Sequence, residues 1–151
     1  MTVIIEPGSP SDPKSIALLS QSHALMKRLY PPEDSYALSI DALSEAGILF
    51  FVAREYDVVL GCGALVLKDG YGEIKSMFTE PFARGQGVAE KIIKRIELEA
   101  KLLDLPLLRL ETGYELAAAV ALYQKLGFEI CNAFGDYESN KASVFMKKSL
   151  T

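Results

Sequence analysis

The sequence is poor in the residue types that build metal and disulfide sites. Its 151 residues include one histidine, two cysteines and no tryptophan. A zinc site or a disulfide framework needs more ligands than His23, Cys62 and Cys131 supply. We therefore expect no bound metal. Both cysteines lie in apolar segments, and we expect them to be small buried side chains in a reducing, cytoplasmic environment.

Long apolar runs and a basic charge are also absent. No stretch reaches the ~18 apolar residues of a membrane span, and residues 1–6 lack the basic start and the small-residue cleavage site of a signal peptide. A net charge of −4 disfavours binding to nucleic acid or to anionic membranes. The 50% hydrophobic content instead predicts one compact domain over residues 1–151.

The most informative segment is a glycine-bearing loop that follows a predicted strand over 71–79 and a turn at Pro81. Apolar residues then recur at helical spacing from Val88 to Leu103. Gly85 and Gly87 lie where this helix begins, and there several backbone N–H groups lack intrahelical partners while the helix dipole adds partial positive charge. The loop therefore predicts an anion site, which we interpret as a phosphate site.

Two common phosphate motifs do not fit this loop. A nucleoside-triphosphate loop requires Gly-x-x-x-x-Gly-Lys-Ser/Thr, and no such Lys-Ser/Thr pair is present. A dinucleotide fingerprint requires a third glycine after Gly85 and Gly87. Taken alone, the two glycines are also compatible with a turn that only caps the helix.

The order of predicted elements is strand, two helices, three strands, helix, strand, helix and two strands. Alternating apolar residues bounded by turn residues predict strands over 48–55, 58–68 and 71–79. Pro106 precedes a further strand over 107–112, and Gly127 ends an alanine-rich helix over 115–126. Strands over 128–132 and 142–148 close the chain.

Two motifs in this order resemble the GCN5-related N-acetyltransferase (GNAT) superfamily. Arg84-x-x-Gly87-x-Ala89 resembles its coenzyme A pyrophosphate loop, and residues 121–128 resemble its Leu-Tyr-x-Lys-x-Gly-Phe segment. The resemblance spans essentially the whole chain and implies the GNAT fold: an α+β fold with helices layered on a mixed, mostly antiparallel sheet. Residues 30–33 and 110–113 further resemble a bacterial, small-molecule-type branch. Leu116 is a departure, because many members have asparagine there.

The resemblance implies acetyl-CoA as the cofactor. In this fold the fourth and fifth strands splay apart, and the pantetheine arm occupies the gap as a substitute strand. Loop N–H groups then hold the pyrophosphate, and an N–H near Met77 polarises the thioester carbonyl. The implied cofactor-binding residues are Met77, Phe78, Thr79, Arg84, Gly85, Gln86, Gly87, Val88 and Ala89.

Two residues are predicted to be catalytic. Glu73 is the candidate base, acting through water, because a lysine-like amine with a pKa of ~10.4 is almost fully protonated at neutral pH. Tyr123 is the candidate acid for the leaving thiolate, although its ordinary pKa is ~1.5 units above that of a thiol. The alternatives are a solvent-facing strand residue for Glu73 and a packed tyrosine with a bonded hydroxyl for Tyr123.

Four further residues are predicted to border the acceptor pocket. The candidates are His23, Glu33, Glu111 and Thr112. A partly exposed surface histidine is the alternative for His23, and strand-ending polar residues are the alternative for Glu111 and Thr112.

The resemblance therefore implies a cytoplasmic N-acetyltransferase that moves acetyl from acetyl-CoA to a primary amine of a small molecule by direct attack in a ternary complex. Cys62 and Cys131 lie in strand segments, so we expect no acetyl-cysteine intermediate. Transfer to a hydroxyl or to protein amines stays open, as does a non-catalytic acyl-CoA-binding regulatory module. Homodimers are common in the superfamily, but this sequence contains nothing that establishes one.

Overall fold

The computed structural model describes residues 2–32, 36 and 38–151. Its strands and helices follow in the order β1 (Ile4–Pro7), α1 (Pro13–Leu29), α2 (Ile40–Leu43), β2 (Ile48–Glu55), β3 (Val58–Lys68), β4 (Tyr71–Thr79), α3 (Val88–Leu102), β5 (Leu107–Gly113), α4 (Ala117–Lys125), β6 (Glu129–Cys131) and β7 (Ser143–Ser149). A single 3₁₀ turn, Pro81–Ala83, follows β4. This order confirms the predicted one.

The helix boundaries follow from local capping. The Asp12 carboxylate accepts a hydrogen bond from the Lys14 N–H, and Pro13 occupies the first position of α1. The Ser39 hydroxyl caps α2 in the same way through Ala42. Gly127, with φ of +98°, follows the C-terminal end of α4. These boundaries differ from the predicted ones by a few residues at most, because helix ends depend on single capping groups.

The seven strands form one sheet in the order β1-β2-β3-β4-β5-β7-β6. Neighbouring strands are antiparallel except β4 and β5, which are parallel and pair over only three positions, from Gly72↔Leu108 to Ile74↔Leu110. Beyond Ile74 the two strands diverge. The C-terminal ends of β4 and β5 therefore border a gap in the sheet, as the family resemblance implied.

Two apolar cores lie on opposite faces of the sheet. Alternation along β2 divides its side chains, because Phe51 and Ala53 join the core under α3 and α4 whereas Phe50 and Val52 join the core under α1 and α2. On β4, Ile74 belongs to the α3 core. Its neighbours Glu73 and Lys75 therefore face the α1 side of the sheet.

On the α1 side of the sheet, the segment between β6 and β7 covers part of β4, β5 and β7, while α1 itself also contacts β4. Phe134 and Tyr137 of this segment pack on Phe145 of β7 with ring centroids 5.8 and 5.6 Å away. The Tyr137 hydroxyl also donates to the Glu73 carboxylate. This segment thus places a layer of aromatic and charged side chains beside the gap between β4 and β5.

Tyr30 joins the end of α1 to the end of β5. Its hydroxyl accepts a hydrogen bond from the Glu115 N–H at 3.2 Å. A Cβ on Gly113 would lie only 1.8 Å from that hydroxyl oxygen. Tyr30 and Gly113 belong to the two segments that resemble the bacterial branch, and the fold brings these segments into contact.

Among the described residues, no helix combines the length and the apolar character needed to cross a membrane.

Candidate functional site

A cleft of ≈ 690 Å³ opens between the diverging ends of β4 and β5. One end is bordered by the loop at the start of α3 and by α4. The other end is bordered by α1, Tyr30 and Tyr36. Tyr123 and Glu111 line the same cleft. We refer to these two parts as the loop end and the acceptor end.

The loop end presents a row of free backbone donors. None of the N–H groups of residues 85–90 donates a hydrogen bond to a described residue, whereas the Lys91 N–H donates to the Gly87 carbonyl. Gly87 caps α3 in the left-handed conformation without a side-chain bond. Gly85 and Gly87 have φ values of +76° and +81°, and a Cβ at either position would meet no atom. Glycine is therefore favoured here by backbone conformation.

Arg84 is oriented by the end of β4. Its Nε donates to the Thr79 carbonyl at 3.2 Å, and its guanidinium lies 5.5 Å from the centre of the Phe78 ring. The Thr79 carbonyl therefore already has a hydrogen-bond partner. The Arg84 terminal nitrogens donate no hydrogen bond to a described residue and add positive charge to the loop end.

A bulge in β4 redirects the backbone at the centre of the cleft. Ser76 has φ of +58°, and the pairing with β3 shifts between Cys62 and Ala64. The Cys62 thiol donates to the Ser76 carbonyl at 3.3 Å. Because the Glu80 N–H donates to the Leu60 carbonyl of β3 and backbone groups alternate along a strand, the Thr79 N–H points away from β3, towards the gap.

Tyr123 of α4 lies in the wall of the cleft. The residue is 6% exposed, and its ring packs on Phe128 with centroids 5.6 Å apart. Its hydroxyl has no hydrogen-bond partner among the described residues, which is unlike the bonded hydroxyl of the packing alternative. Burial raises the pKa of Tyr123 above its ordinary value of 10.0. The hydroxyl therefore stays protonated at neutral pH and is available as a donor.

Comparison with known proteins gives one consistent result. The model of the acetyltransferase (GNAT) family matches residues 17–128. An IAA acetyltransferase of Azospirillum brasilense is 39% identical over 150 residues, which cover 98% of each chain. This chain belongs to the GNAT acetyltransferase family.

Solved structures agree with this assignment. A Klebsiella pneumoniae protein, solved as a candidate acyl-CoA N-acyltransferase, is 34% identical, with a TM-score of 0.84 over 99% of each chain. The PaiA N-acetyltransferase of Thermoplasma acidophilum, solved with coenzyme A, has the same fold with a TM-score of 0.79 at 19% identity and covers 99% of each chain. This GNAT acetyltransferase is therefore an enzyme with the expected α+β fold.

The chemistry of the loop end in this GNAT acetyltransferase fits a coenzyme A pyrophosphate. Consecutive N–H groups without acceptors, a helix N-terminus and the Arg84 guanidinium together favour a diphosphate. The groups that would hold it are the backbone of residues 85–90 and the side chain of Arg84. The remaining implied residues, Met77, Phe78 and Thr79, line the gap between β4 and β5, where an extended arm would lie.

Glu73 does not line the cleft. It is 2% exposed, and its Oε2 accepts hydrogen bonds from the Tyr137 hydroxyl and, at 3.5 Å, from Lys75 Nζ. The alternative of a solvent-facing strand residue is therefore wrong for Glu73, because the segment between β6 and β7 covers it. Its role as the base stays a prediction, and the structure places it behind Lys75 and Tyr137.

Glu111 of β5 lines the cleft, as do Glu90 and Glu115. Its Oε2 accepts a hydrogen bond of 2.8 Å from the Ser143 hydroxyl, and its Oε1 has no partner among the described residues. Burial raises the pKa of Glu111 above its ordinary 4.5, and the charge of Glu73 adds to this, while Ser143 and Lys75 act in the opposite direction. Glu111 therefore has one carboxylate oxygen available for a further hydrogen bond.

The other predicted acceptor residues divide into two groups. His23 and Thr112 line the cleft together with Glu111. His23 is half-buried, and its Nε2 lies 3.0 Å from the Leu38 carbonyl. Glu33 lies outside the described residues.

Sequence reasoning did not identify Lys75, Tyr36 or Tyr137. Lys75 follows Glu73 by two positions, so strand alternation could have placed both on one face. Tyr36 and Tyr137 lie in irregular segments 101 residues apart, yet their rings meet edge-on with centroids 4.7 Å apart. No local sequence pattern indicates such a contact.

Proposed function

We propose that this GNAT acetyltransferase transfers the acetyl group of acetyl-CoA to the primary amine of a small molecule, by direct attack in a ternary complex. One observation carries the proposal: the free N–H groups of the loop, the Tyr123 hydroxyl and the Glu111 carboxylate all line one cleft. Acetyl-CoA supplies an activated acetyl group as a thioester. The protein's own groups then supply binding, proton transfer and charge stabilisation.

Each end of the cleft has a separate part in this reaction. Residues 85–90 and Arg84 bind the diphosphate, and the Met77 N–H, beside the bulge in β4, polarises the thioester carbonyl. Glu111 accepts the proton that the attacking amine loses. Tyr123 donates a hydrogen bond to the sulfur as the carbon–sulfur bond breaks.

The buried position of Tyr123 refines its part. Because burial raises its pKa, the difference from an ordinary thiol pKa of ~8.5 becomes larger than in a model peptide. We therefore assign Tyr123 primarily as a hydrogen-bond donor that stabilises the leaving thiolate.

Direct attack is supported by the environment of the cysteines. Burial raises the pKa of the Cys62 thiol to about 12, so almost none of it is thiolate at neutral pH. Cys131 is partly buried on the edge strand β6, and it borders a second surface cavity together with Arg109 and Lys147. Cys131 does not line the cleft, so neither cysteine is placed and ionised to carry the acetyl group.

The direct test is whether an acetylated product forms in the presence of acetyl-CoA. The release of the coenzyme A thiol measures turnover, and mass spectrometry identifies the product. The acceptor panel contains small primary amines, matched alcohols and a lysine-containing peptide. It also contains IAA, the compound in the name of the Azospirillum relative. Acetylated small amines are the expected products. Coenzyme A binding without product from any acceptor would instead support a regulatory module.

Tyr123→Phe is expected to lower kcat by about 100-fold, the lower end of the range for removing one hydrogen-bond donor that stabilises charge in the transition state. The dissociation constant of desulfo-coenzyme A should change little, because the backbone of residues 85–90 is intact. Stopped-flow or steady-state thiol release measures the rate, and calorimetry measures the binding. Tyr56→Phe is the matched control because Tyr56 is 83% exposed in the turn between β2 and β3. An unchanged kcat in Tyr123→Phe would contradict the role.

Glu111→Gln is expected to lower kcat/KM by about 100-fold or more and to remove an acid limb from its pH profile. Only the ionised carboxylate accepts a proton, so activity should rise with pH as Glu111 loses its proton. Because the pKa of Glu111 is raised, this limb should lie above the ordinary carboxyl range. Measuring pH profiles of kcat/KM with amines of different pKa separates the acid limb of Glu111 from the ionisation of the substrate.

Glu73→Gln is the discriminating companion, since it changes the same functional group in the buried position. It should keep the acid limb. Loss of that limb in Glu73→Gln but not in Glu111→Gln would show that Glu73 is the base, as the sequence predicted.

A further inference from the structure

The acceptor end of the cleft contains one cationic side chain that is already fully used. Lys75 Nζ lies 3.1 Å from the Tyr36 carbonyl and 3.5 Å from the Glu73 carboxylate, and it also contacts the Tyr137 hydroxyl. An ammonium group has three N–H donors. Lys75 therefore retains none for a carboxylate on a bound molecule, although it lines the cleft.

The remaining charged groups at this end are carboxylates, although the Tyr30 hydroxyl accepts from the Glu115 N–H and keeps its own proton as a donor. Glu111 Oε1 is free, since Ser143 uses only Oε2. The Leu38 carbonyl can only accept, so the nearby His23 Nε2 carries a proton. In the neutral ring this leaves Nδ1 as an acceptor. Glu115 also lines the cleft and adds negative charge.

The surface between these groups is apolar and aromatic. Leu25 and Met26 of α1, Tyr30 and Tyr36 line the acceptor end. Arg84 and Lys125, the other basic residues on the cleft wall among those described, belong to the loop end. A negatively charged acceptor would thus meet Glu111 and Glu115 without a free cation.

We propose that the acceptor is a primary amine carried on an apolar or aromatic body, with no carboxylate next to the amine. Glu111 receives the ammonium group, and Tyr30 and Tyr36 contact the body. An α-amino acid is disfavoured, because its carboxylate would be desolvated near Glu111 and Glu115 without a free cationic partner among the described residues. This assignment rests on the proposed amine acetylation and narrows it to a chemical class.

The test uses three probes that differ in one group. These are 2-phenylethylamine, L-phenylalaninamide and L-phenylalanine, of which only the last carries a carboxylate. Their dissociation constants are measured calorimetrically on the protein saturated with desulfo-coenzyme A, so the readout does not require turnover. We expect the first two to bind at least ten-fold more tightly than L-phenylalanine. Values of kcat/KM should follow the same order.

Glu111→Gln should reduce the difference in dissociation constant between L-phenylalanine and the other two probes, because it removes the negative charge that disfavours a carboxylate. Thr2→Gln, at an exposed position near the N-terminus, should leave it unchanged. Equal or tighter binding of L-phenylalanine, or binding of none of the three, would overturn the assignment. Acetylation of amino acids would refute this inference while leaving amine acetylation intact, whereas an absence of acetylated amines from the whole acceptor panel would refute both.

Discussion

Lys75→Met is expected to lower the free energy of unfolding by about 3–5 kcal/mol, the range measured when one partner of a buried ion pair is removed. The side chains of Glu73 and Lys75 are only 3% and 10% exposed. Without Lys75, the Glu73 carboxylate would retain only the Tyr137 hydroxyl as a donor. The buried Glu73 carboxylate would then have no positive charge to compensate for the water it has lost.

The same substitution releases a contact to the acceptor end. Lys75 donates to the Tyr36 carbonyl, and Tyr36 lines the cleft. A rise in the KM for the amine should therefore accompany the loss of stability. The KM for acetyl-CoA should change less, because residues 85–90 lie at the other end.

A double-mutant cycle measured by urea unfolding tests this explanation. Glu73→Gln combined with Lys75→Met should recover much of the lost stability, since no unpaired charge is left buried. Lys94→Met is the control because Lys94 is exposed on α3, and its effect should stay within about 0.5 kcal/mol. A double variant no more stable than Lys75→Met would contradict the ion-pair explanation.

Gly87→Glu is expected to abolish the stabilisation of the protein by acetyl-CoA. At 100 times its dissociation constant, a ligand of the folded state adds ~2.7 kcal/mol, which corresponds to a rise in Tm of about 5–10 °C for a domain of this size. Glutamate at position 87 would place a carboxylate where the N–H groups of residues 85–90 converge. That carboxylate would repel a diphosphate and compete for the same donors.

The variant also strains the backbone, so its control must carry the same strain. Gly70 has φ of +84°, a Cβ there would meet no atom, and it lies in the turn at the opposite end of β4. Gly70→Glu therefore introduces the same residue in a similar conformation far from the loop. It should lower Tm but keep the full response to desulfo-coenzyme A. An equal response in both variants would disprove cofactor binding at this loop.

Some parts of the site could be predicted from the sequence because they depend on neighbours along the chain. The loop at residues 84–89 begins a helix, and a helix N-terminus presents free N–H groups wherever it occurs. Tyr123 lies in a helical motif of contiguous residues. The strands over 48–55, 58–68 and 71–79 were located because hairpin turns and alternation are local signals.

Other parts could not be predicted, because they depend on contacts between distant segments. Whether Glu73 or Glu111 faces the cleft is decided by the divergence of β4 from β5 and by the segment that covers Glu73. Alternation places both carboxylates on the same face of the sheet, but it does not indicate which one Tyr137 will cover. The hydrogen bonds of Lys75 to Tyr36 and Tyr137 likewise join three segments that are distant in sequence.

The sequence by itself thus determined the GNAT fold, the order of its elements and the position of the glycine loop at the start of α3. Periodicity, capping and turn residues act over a few positions and leave a readable pattern. The tertiary structure alone decided which charged groups at the acceptor end are free and which are satisfied. That distinction depends on distances of 2.8–3.5 Å between residues as far apart in sequence as Tyr36, Lys75 and Ser143. Hydrogen bonds of this kind form only when the sheet, α1 and the segment before β7 have come together.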